Sequence, residues 1–232
     1  MKKDVFITGT DTGIGKTLVS CALLSILAKQ GGTVLGMKPV ASGCQQTSQG
    51  LRNEDAELLI RHSSKLMPYS LVNPYAYKDA IAPHLAAAQS DKPIDLEKIQ
   101  RQYIELSAQC DHLIVEGVGG WLVPVNRTQT MADLVTMLDL PVLLVVGMRL
   151  GCINHALLSY QAIVDSGLSC IGWVANQIEI NMPYLNENIA SIEQRIAAPL
   201  LGRIGYHQEP DSDSIGDCLN TRYFDGKENG RE

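Results

Sequence analysis

A glycine-rich segment, Gly9-Thr10-Asp11-Thr12-Gly13-Ile14-Gly15-Lys16-Thr17, stands between the apolar run Val5-Phe6-Ile7 and a stretch from Leu18 to Ala28 whose apolar residues recur at helical spacing. A turn that leaves a strand and opens a helix in this way aims several backbone N–H groups at one point, where the positive end of the helix dipole also favours an anion. The segment predicts a phosphate cradle, with Lys16 meeting the outer phosphates and Thr17 ligating Mg²⁺. Five residues, rather than the four of the usual pattern, separate Gly9 from the Gly15-Lys16 pair. The order of strand, Gly-Lys-Thr and helix carries the reading against an ordinary strand-to-helix turn with a surface lysine.

Such a cradle needs a parallel sheet behind it, and the remaining sequence alternates accordingly. The first helix ends at Gly31-Gly32, a C-cap signal, and Val34-Leu35-Gly36-Met37 reads as a buried strand that delivers Lys38, Pro39, Val40, Ala41 and Ser42 at its end. Ligands of parallel sheets collect outside the carboxyl ends of strands, which makes Lys38 a candidate for chemistry; the competing reading is a solvated lysine. Gly43 to Leu51 is rich in Gln, Ser and Gly and predicts a mobile loop, after which Asn53-Glu54-Asp55 starts a helix through Ile60. Asp55 is open between a functional acid and simple complementation of the helix dipole. From Pro68 to Pro93 the chain makes an excursion from the sheet, with a short helix around Pro83 to Ala88, and His84 there reads as a packed histidine without chemistry.

A helical face from Ile94 to Cys110 leads into the strand His112-Leu113-Ile114-Val115-Glu116, followed by Gly117-Val118-Gly119-Gly120. An apolar strand ending in one acid and a glycine-rich turn is what a P-loop enzyme uses to hold Mg²⁺ beside its cradle strand. A helix over 131–138, a strand over 142–147, a helix over 154–164, a strand over 169–175 delivering Asn176-Gln177, a helix over 186–197 and a last strand over 200–204 complete the alternation. The expected fold class is α/β: one P-loop domain over residues 1–210, built on a doubly wound, mainly parallel sheet flanked by helices. Residues 211–232 form a polar tail in which order is expected to be largely lost.

Composition narrows the partners. A net charge of -6 without a long basic run speaks against a nucleic-acid surface. Six cysteines, at 21, 44, 110, 152, 170 and 218, show no Cys-x-x-Cys pairing and read as reduced thiols, which predicts a cytoplasmic protein. The N-terminal residues carry no apolar run long enough for a signal peptide or a membrane span.

Six blocks together carry a resemblance: Gly9-Thr10-Asp11-Thr12-x-x-Gly15-Lys16-Thr17, Lys38-Pro39-Val40-Ala41-Ser42-Gly43, Gly50-Leu51-Arg52-Asn53-x-Asp55, Val115-Glu116-Gly117-x-Gly119-Gly120, Leu150-Gly151-Cys152-Ile153-Asn154-His155 and Gly172-Trp173-Val174-Ala175-Asn176. On these the sequence resembles the dethiobiotin synthetase family, ATP-dependent carboxylases of biotin synthesis. The resemblance implies ring closure of 7,8-diaminononanoate with CO₂, ATP as co-substrate and Mg²⁺ held by Thr17, Asp55 and Glu116. It implies that Lys16 and Lys38 serve the transferring phosphoryl group and that Thr12 and Ser42 position a carbamate. Nucleotide contacts would come from Gly13, Ile14, Gly15, Lys16, Thr17 and Leu18, from Gly117, Val118 and Gly119, and around the base from Asn176, Gln177, Gly205, Tyr206 and His207. It further implies a homodimer in which Gly151, Cys152, Ile153 and Asn154 receive the substrate carboxylate of the neighbouring subunit's site. Two rivals share the cradle: a dimeric ATPase switch of the partitioning type, which places a second lysine where this chain has Asp11 and Thr12, and a nucleotide-binding regulator without turnover, against which the joint presence of Lys16, Lys38, Asp55 and Glu116 argues.

Overall fold

Strand β1 (Val5–Gly9) is apolar and fully buried because both of its faces are covered: Phe6 enters one core, and Val5 and Ile7 enter the other. The computed structural model describes residues 3–206 and 215–224. After β1, helix α1 (Lys16–Lys29) leads to β2 (Val34–Met37), which pairs not with β1 but with the later strand β7 (His112–Glu116). β7 in turn pairs with β1. On the other side of β1 follow β8 (Val142–Met148), β9 (Cys170–Gln177) and β10 (Leu200–Ile204), so the six-stranded parallel sheet has the order β10-β9-β8-β1-β7-β2. The chain runs to one side after β1 and to the other after β7. The crevice at this switch of direction opens at the carboxyl ends of the strands, beside β1.

Between β2 and β7 the chain builds a small annex. Strand β3 (Val40–Ala41) pairs in parallel with β6 (Tyr75–Ala76), with α2 (Glu54–His62), α3 (Tyr69–Val72), α4 (Pro83–Gln89) and α5 (Leu96–Ser107) around them. Local caps fix several starts: Asn53 accepts from Ala56 N at 3.2 Å, and Asp95 accepts from Glu97 N at 2.9 Å. After β7 come α6 (Met131–Leu138), opened by a capping box between Thr130 and Asp133, then α7 (Cys152–Asp165) and α8 (Leu185–Glu193). One core lies under α1 and α2, the larger one under α5, α6, α7 and α8.

Three local expectations change. The stretch expected as a mobile loop contains an antiparallel hairpin, β4 (Gln45–Thr47) with β5 (Gly50–Arg52); Thr47 Oγ1 donates to Gly50 O at 2.8 Å, and Gly50 supplies the turn with φ 97°. Strand β4 is polar and exposed and β5 is half-buried along its length, so no apolar alternation announces the hairpin. Helix α7 begins at Cys152 rather than Asn154, behind Gly151 in the left-handed region at φ 93°. Part of the segment expected to lose order also packs: Ile215 is fully buried in the core under α1, Leu219 bridges Gly202, and Phe224 meets the His112 ring edge-on at 5.7 Å. Single apolar residues spaced along polar sequence have no period to detect, yet each finds a gap on the α1 side of the sheet.

Candidate functional site

Register brings the first pair of functional side chains together. Met37 lies opposite Val115 in the β2–β7 ladder, so Lys38, one residue on, arrives beside Glu116 at the strands' carboxyl ends. Lys38 Nζ donates to Glu116 Oε1 at 2.5 Å, to Asp55 Oδ2 at 2.8 Å and to Gly117 O at 3.2 Å. Asp55 is presented by the first turn of α2, whose cap residue is itself held, because Tyr69 Oη accepts from Asn53 N at 2.7 Å. From the opposite wall Thr17, in the first turn of α1, donates through Oγ1 to Glu116 Oε1 at 2.8 Å. Thr17, Lys38, Asp55 and Glu116 therefore form one connected cluster, and the solvated reading of Lys38 is excluded.

The electrostatics follow from burial and pairing. Burial opposes the charge on Lys38, but the carboxylates of Glu116 and Asp55 outweigh it and hold the ammonium above the usual lysine range. Burial likewise opposes the charge on Asp55, yet the Lys38 ion pair, together with a hydrogen bond from Thr17, keeps that carboxyl below its ordinary value. Lys16 has no such direct ion pair among the described residues. Burial and the nearby charge of Lys38 push it down to about 8, against the pull of Glu116, Asp55 and Asp11, and its Nζ donates to Asp11 O at 2.8 Å across its own loop.

The loop itself is braced from β8 and β9. Gly15 stands at φ 88°, and a Cβ there would come within 2.2 Å of Asn176 Nδ2, which donates to Ile14 O at 2.8 Å. The Ile14 side chain is buried against Gly9 and Gly147, where a Cβ at either glycine would meet it at 2.6 Å. Asp11 accepts from Thr12 N at 2.7 Å and from Arg149 Nη2 at 2.5 Å, so the end of β8 also holds the start of the loop. Sequence reading missed the bracing role of Asn176 and the whole of the Asp11–Arg149 pair; only the opposite charges at the ends of two expected strands hinted at the latter.

A cavity of about 670 Å³ opens over this cluster, lined among others by Thr12, Gly13, Gly15, Lys16, Thr17, Lys38, Ser42, Asp55, Glu116, Val118 and Gly119. Ile81 and Val123 line it too, positions that no local signal marked, as do Asn53 and Pro83, which were legible only as helix starts. Ser42 Oγ and Glu116 Oε2 are buried without a hydrogen-bond partner among the described residues. Across the loop a second recess of about 200 Å³ is lined by Gly13, Gly15, Leu18, Asn176, Gln177, Ile178, Gly205 and Tyr206. The two share Gly13 and Gly15, so the cradle lies between a larger chamber and a smaller one. Gly151, Cys152, Ile153 and Asn154 line neither, and sit at the start of α7 beside Leu150, which is 96% exposed. His207 lies outside the described residues.

Comparison with known proteins agrees with this geometry. A family model described as an AAA domain matches residues 3–213. The ATP-dependent dethiobiotin synthetase BioD of Xanthomonas oryzae pv. oryzae (strain PXO99A) is 51% identical over 209 residues, covering 90% of this chain and 92% of its own. The protein of the same name from Cellvibrio japonicus is 52% identical over 201 residues, covering 87% and 88%. Among solved structures, the MinD cell division protein of Aquifex aeolicus superposes with a TM-score of 0.58 at 14% identity over 99% of each chain. A ParA family ATPase from Chlorobium tepidum gives 0.55 at 14%, over 93% of this chain and 90% of its own. At those identities the structural likeness is one of fold, that of the P-loop NTPases.

Proposed function

The chain belongs to the ATP-dependent dethiobiotin synthetase family, and from that premise we propose that its cleft closes the ring of dethiobiotin from 7,8-diaminononanoate, CO₂ and ATP, releasing ADP and phosphate. One amine of the substrate takes up CO₂ and loses a proton, forming a carbamate. A carbamate oxygen attacks the γ-phosphorus, ADP departs, and a carbamic-phosphoric anhydride results. The second amine attacks the carbonyl carbon and gives up a proton, phosphate leaves with the bonding pair, and the ring closes. Negative charge accumulates on carbamate and phosphate oxygens, so the protein must offer cations and aligned donors, not a covalent nucleophile.

The observation that carries the reading is the convergence of Lys16, Thr17, Lys38, Asp55 and Glu116 on one chamber that also contains Ser42. In this reading Lys16 leaves Asp11 O for the outer phosphates, Lys38 neutralises the transferring group, and Thr12 and the unpartnered Ser42 hydroxyl orient the carbamate. Gly117, Val118 and Gly119 flank the phosphates, while Leu18, Gln177, Gly205 and Tyr206 enclose the base. Asn176 has its amide nitrogen engaged by Ile14, which leaves its carbonyl oxygen to accept from the adenine amino group. Thr17, Asp55 and Glu116 fit Mg²⁺: they line one chamber and offer hard oxygens only, and such a small donor set suits an ion completed by phosphate oxygens and water. When bound, the ion neutralises charge along the β- and γ-phosphates.

The test is ATP-dependent incorporation of labelled carbonate into dethiobiotin by the purified chain. A partitioning-type switch would hydrolyse ATP without fixing carbonate, and a regulator would bind nucleotide without either. ATP hydrolysis or binding in the absence of label incorporation would overturn the proposal.

The helix start at 151–154 supports a homodimer with shared sites. It lies outside the lining of both chambers of its own subunit, next to the exposed Leu150; Cys152 N donates to Arg149 O at 3.0 Å, the next N–H groups open the helix, and on α7 Leu158 is also 63% exposed. The substrate carboxylate lies at the far end of an aliphatic chain from the diamine, so it needs donors remote from the cradle. Complementation between Lys16→Ala and Gly151→Glu, each inactive alone, checks this. Gly151 faces open space, so the glutamate blocks the anion seat without a clash inside its own subunit; its φ of 93° costs the variant about 1–2 kcal/mol of backbone strain, so folding of Gly151→Glu is verified before mixing. Mixed dimers are expected to recover one working site, and no recovery despite demonstrated subunit exchange would sink the shared site.

A further inference from the structure

Lys38 rests on the same two carboxylates assigned above to the metal. Its ammonium lies 2.5 Å from Glu116 Oε1 and 2.8 Å from Asp55 Oδ2, with its side chain 4% exposed. Oxygen ligands hold Mg²⁺ at about 2.0–2.1 Å. An ion on those oxygens would crowd the ammonium nitrogen, so the two cations are alternative occupants of one seat. The exchange needs no movement of the main chain, which is pinned on both sides: Lys38 N donates to Val72 O at 3.0 Å, and Lys38 O accepts from Asn73 Nδ2 at 2.6 Å. Only the flexible four-carbon stem has to swing.

We propose that Lys38 is the resident counter-ion of the metal seat, and that entry of the metal with nucleotide displaces its ammonium into the chamber, where it serves the transferring phosphoryl group. The inference rests on the assignment of Mg²⁺ to Thr17, Asp55 and Glu116. Two neighbouring carboxylates, one fully buried, repel each other, and a cation seated between them offsets that repulsion. A tethered ammonium meets that need permanently, whereas Mg²⁺ sheds its water reluctantly. Phosphate oxygens of ATP change the balance twice. They supply part of the metal's coordination shell, and they offer the displaced ammonium an anion in a chamber where the charge of Lys16 would otherwise repel it. Metal loading and release of the ammonium thereby become one event, and the ammonium is held on the two carboxylates at the chamber wall while the seat holds no metal.

Mn²⁺, followed by electron paramagnetic resonance on the full chain, serves as the probe. Wild-type protein is expected to bind it weakly alone and firmly with ADP. Lys38→Met removes the competing cation, so Mn²⁺ affinity without nucleotide should rise about tenfold or more. Mn²⁺ should also raise the melting temperature of that variant well above any effect on wild type. Lys38→Gln, which keeps a hydrogen-bond donor for the carboxylates, is measured alongside in case the methionine variant does not fold. Unchanged nucleotide-free Mn²⁺ affinity in the folded variants, with Mn²⁺·ADP binding intact, overturns the counter-ion role alone. Mn²⁺·ADP binding that is unaffected by Glu116→Gln overturns the metal assignment beneath it.

Discussion

Lys38→Gln is expected to lower kcat for ring closure by about 10²–10³-fold, while the KM for ATP stays within a few-fold of wild type. The asymmetry follows from where the ammonium acts. In the state described here it neutralises Glu116 and Asp55, and its interaction with the transferring group develops as charge builds on the carbamate and γ-phosphate oxygens. Losing the ammonium removes transition-state stabilisation but also removes a competitor for the metal seat, so nucleotide binding has no reason to weaken in proportion. Breaking a buried ion pair costs about 3–5 kcal/mol of stability when one partner is deleted. Glu116 is fully buried, but glutamine retains a donor for its carboxylate, so the loss here falls below that range. Rates are therefore normalised to folded protein. Equal losses in kcat and in nucleotide affinity, or an unchanged kcat, would show that Lys38 has no special part in the chemical step.

Gly15→Ala is the other change with a large expected effect, and its origin is steric. A Cβ at this position overlaps the Asn176 amide nitrogen at 2.2 Å and must also adopt a φ of 88°. Left-handed backbone costs a non-glycine residue roughly 1–2 kcal/mol, and expelling Asn176 leaves Ile14 O short of a buried donor for roughly another 1–3 kcal/mol. Relaxing the loop avoids both penalties but turns its N–H groups away from their common focus. Nucleotide affinity should therefore fall about 10²-fold or more, since each 1.4 kcal/mol or so is a factor of ten. Calorimetric titration with ADP measures it. Gly15→Ala combined with Asn176→Ala relieves the overlap but not the backbone strain, and should regain only part of the loss. Wild-type affinity in the single variant would mean that the loop tolerates a different path and that Asn176 does not brace it.

Much of the fold is legible without coordinates because it is written locally. The cradle is a contiguous string, the strands β1, β2, β7 and β8 are apolar runs of nearly their observed lengths, and the cap at Asn53 lies within four residues of what it caps. Such signals depend on backbone sterics and short-range hydrogen bonds, which a sequence carries by itself. Glycines and acids at strand ends were legible as candidates for the same reason. Their partners were not. Lys38 and Glu116 are 78 positions apart, and Asn176 and Ile14 are 162 apart. Such pairs meet only because the sheet order puts β7 between β1 and β2 and places β8 and β9 on the other side of β1. No periodicity encodes that order; it emerges from burying both faces of the sheet at once. The choice between a solvated Lys38 and one held by two carboxylates was therefore decided by register, where a shift of one residue along β2 would have turned its side chain to the other face of the sheet. The packing of Ile215 and Phe224 was decided in the same way, by gaps that exist only once the sheet and α1 have assembled.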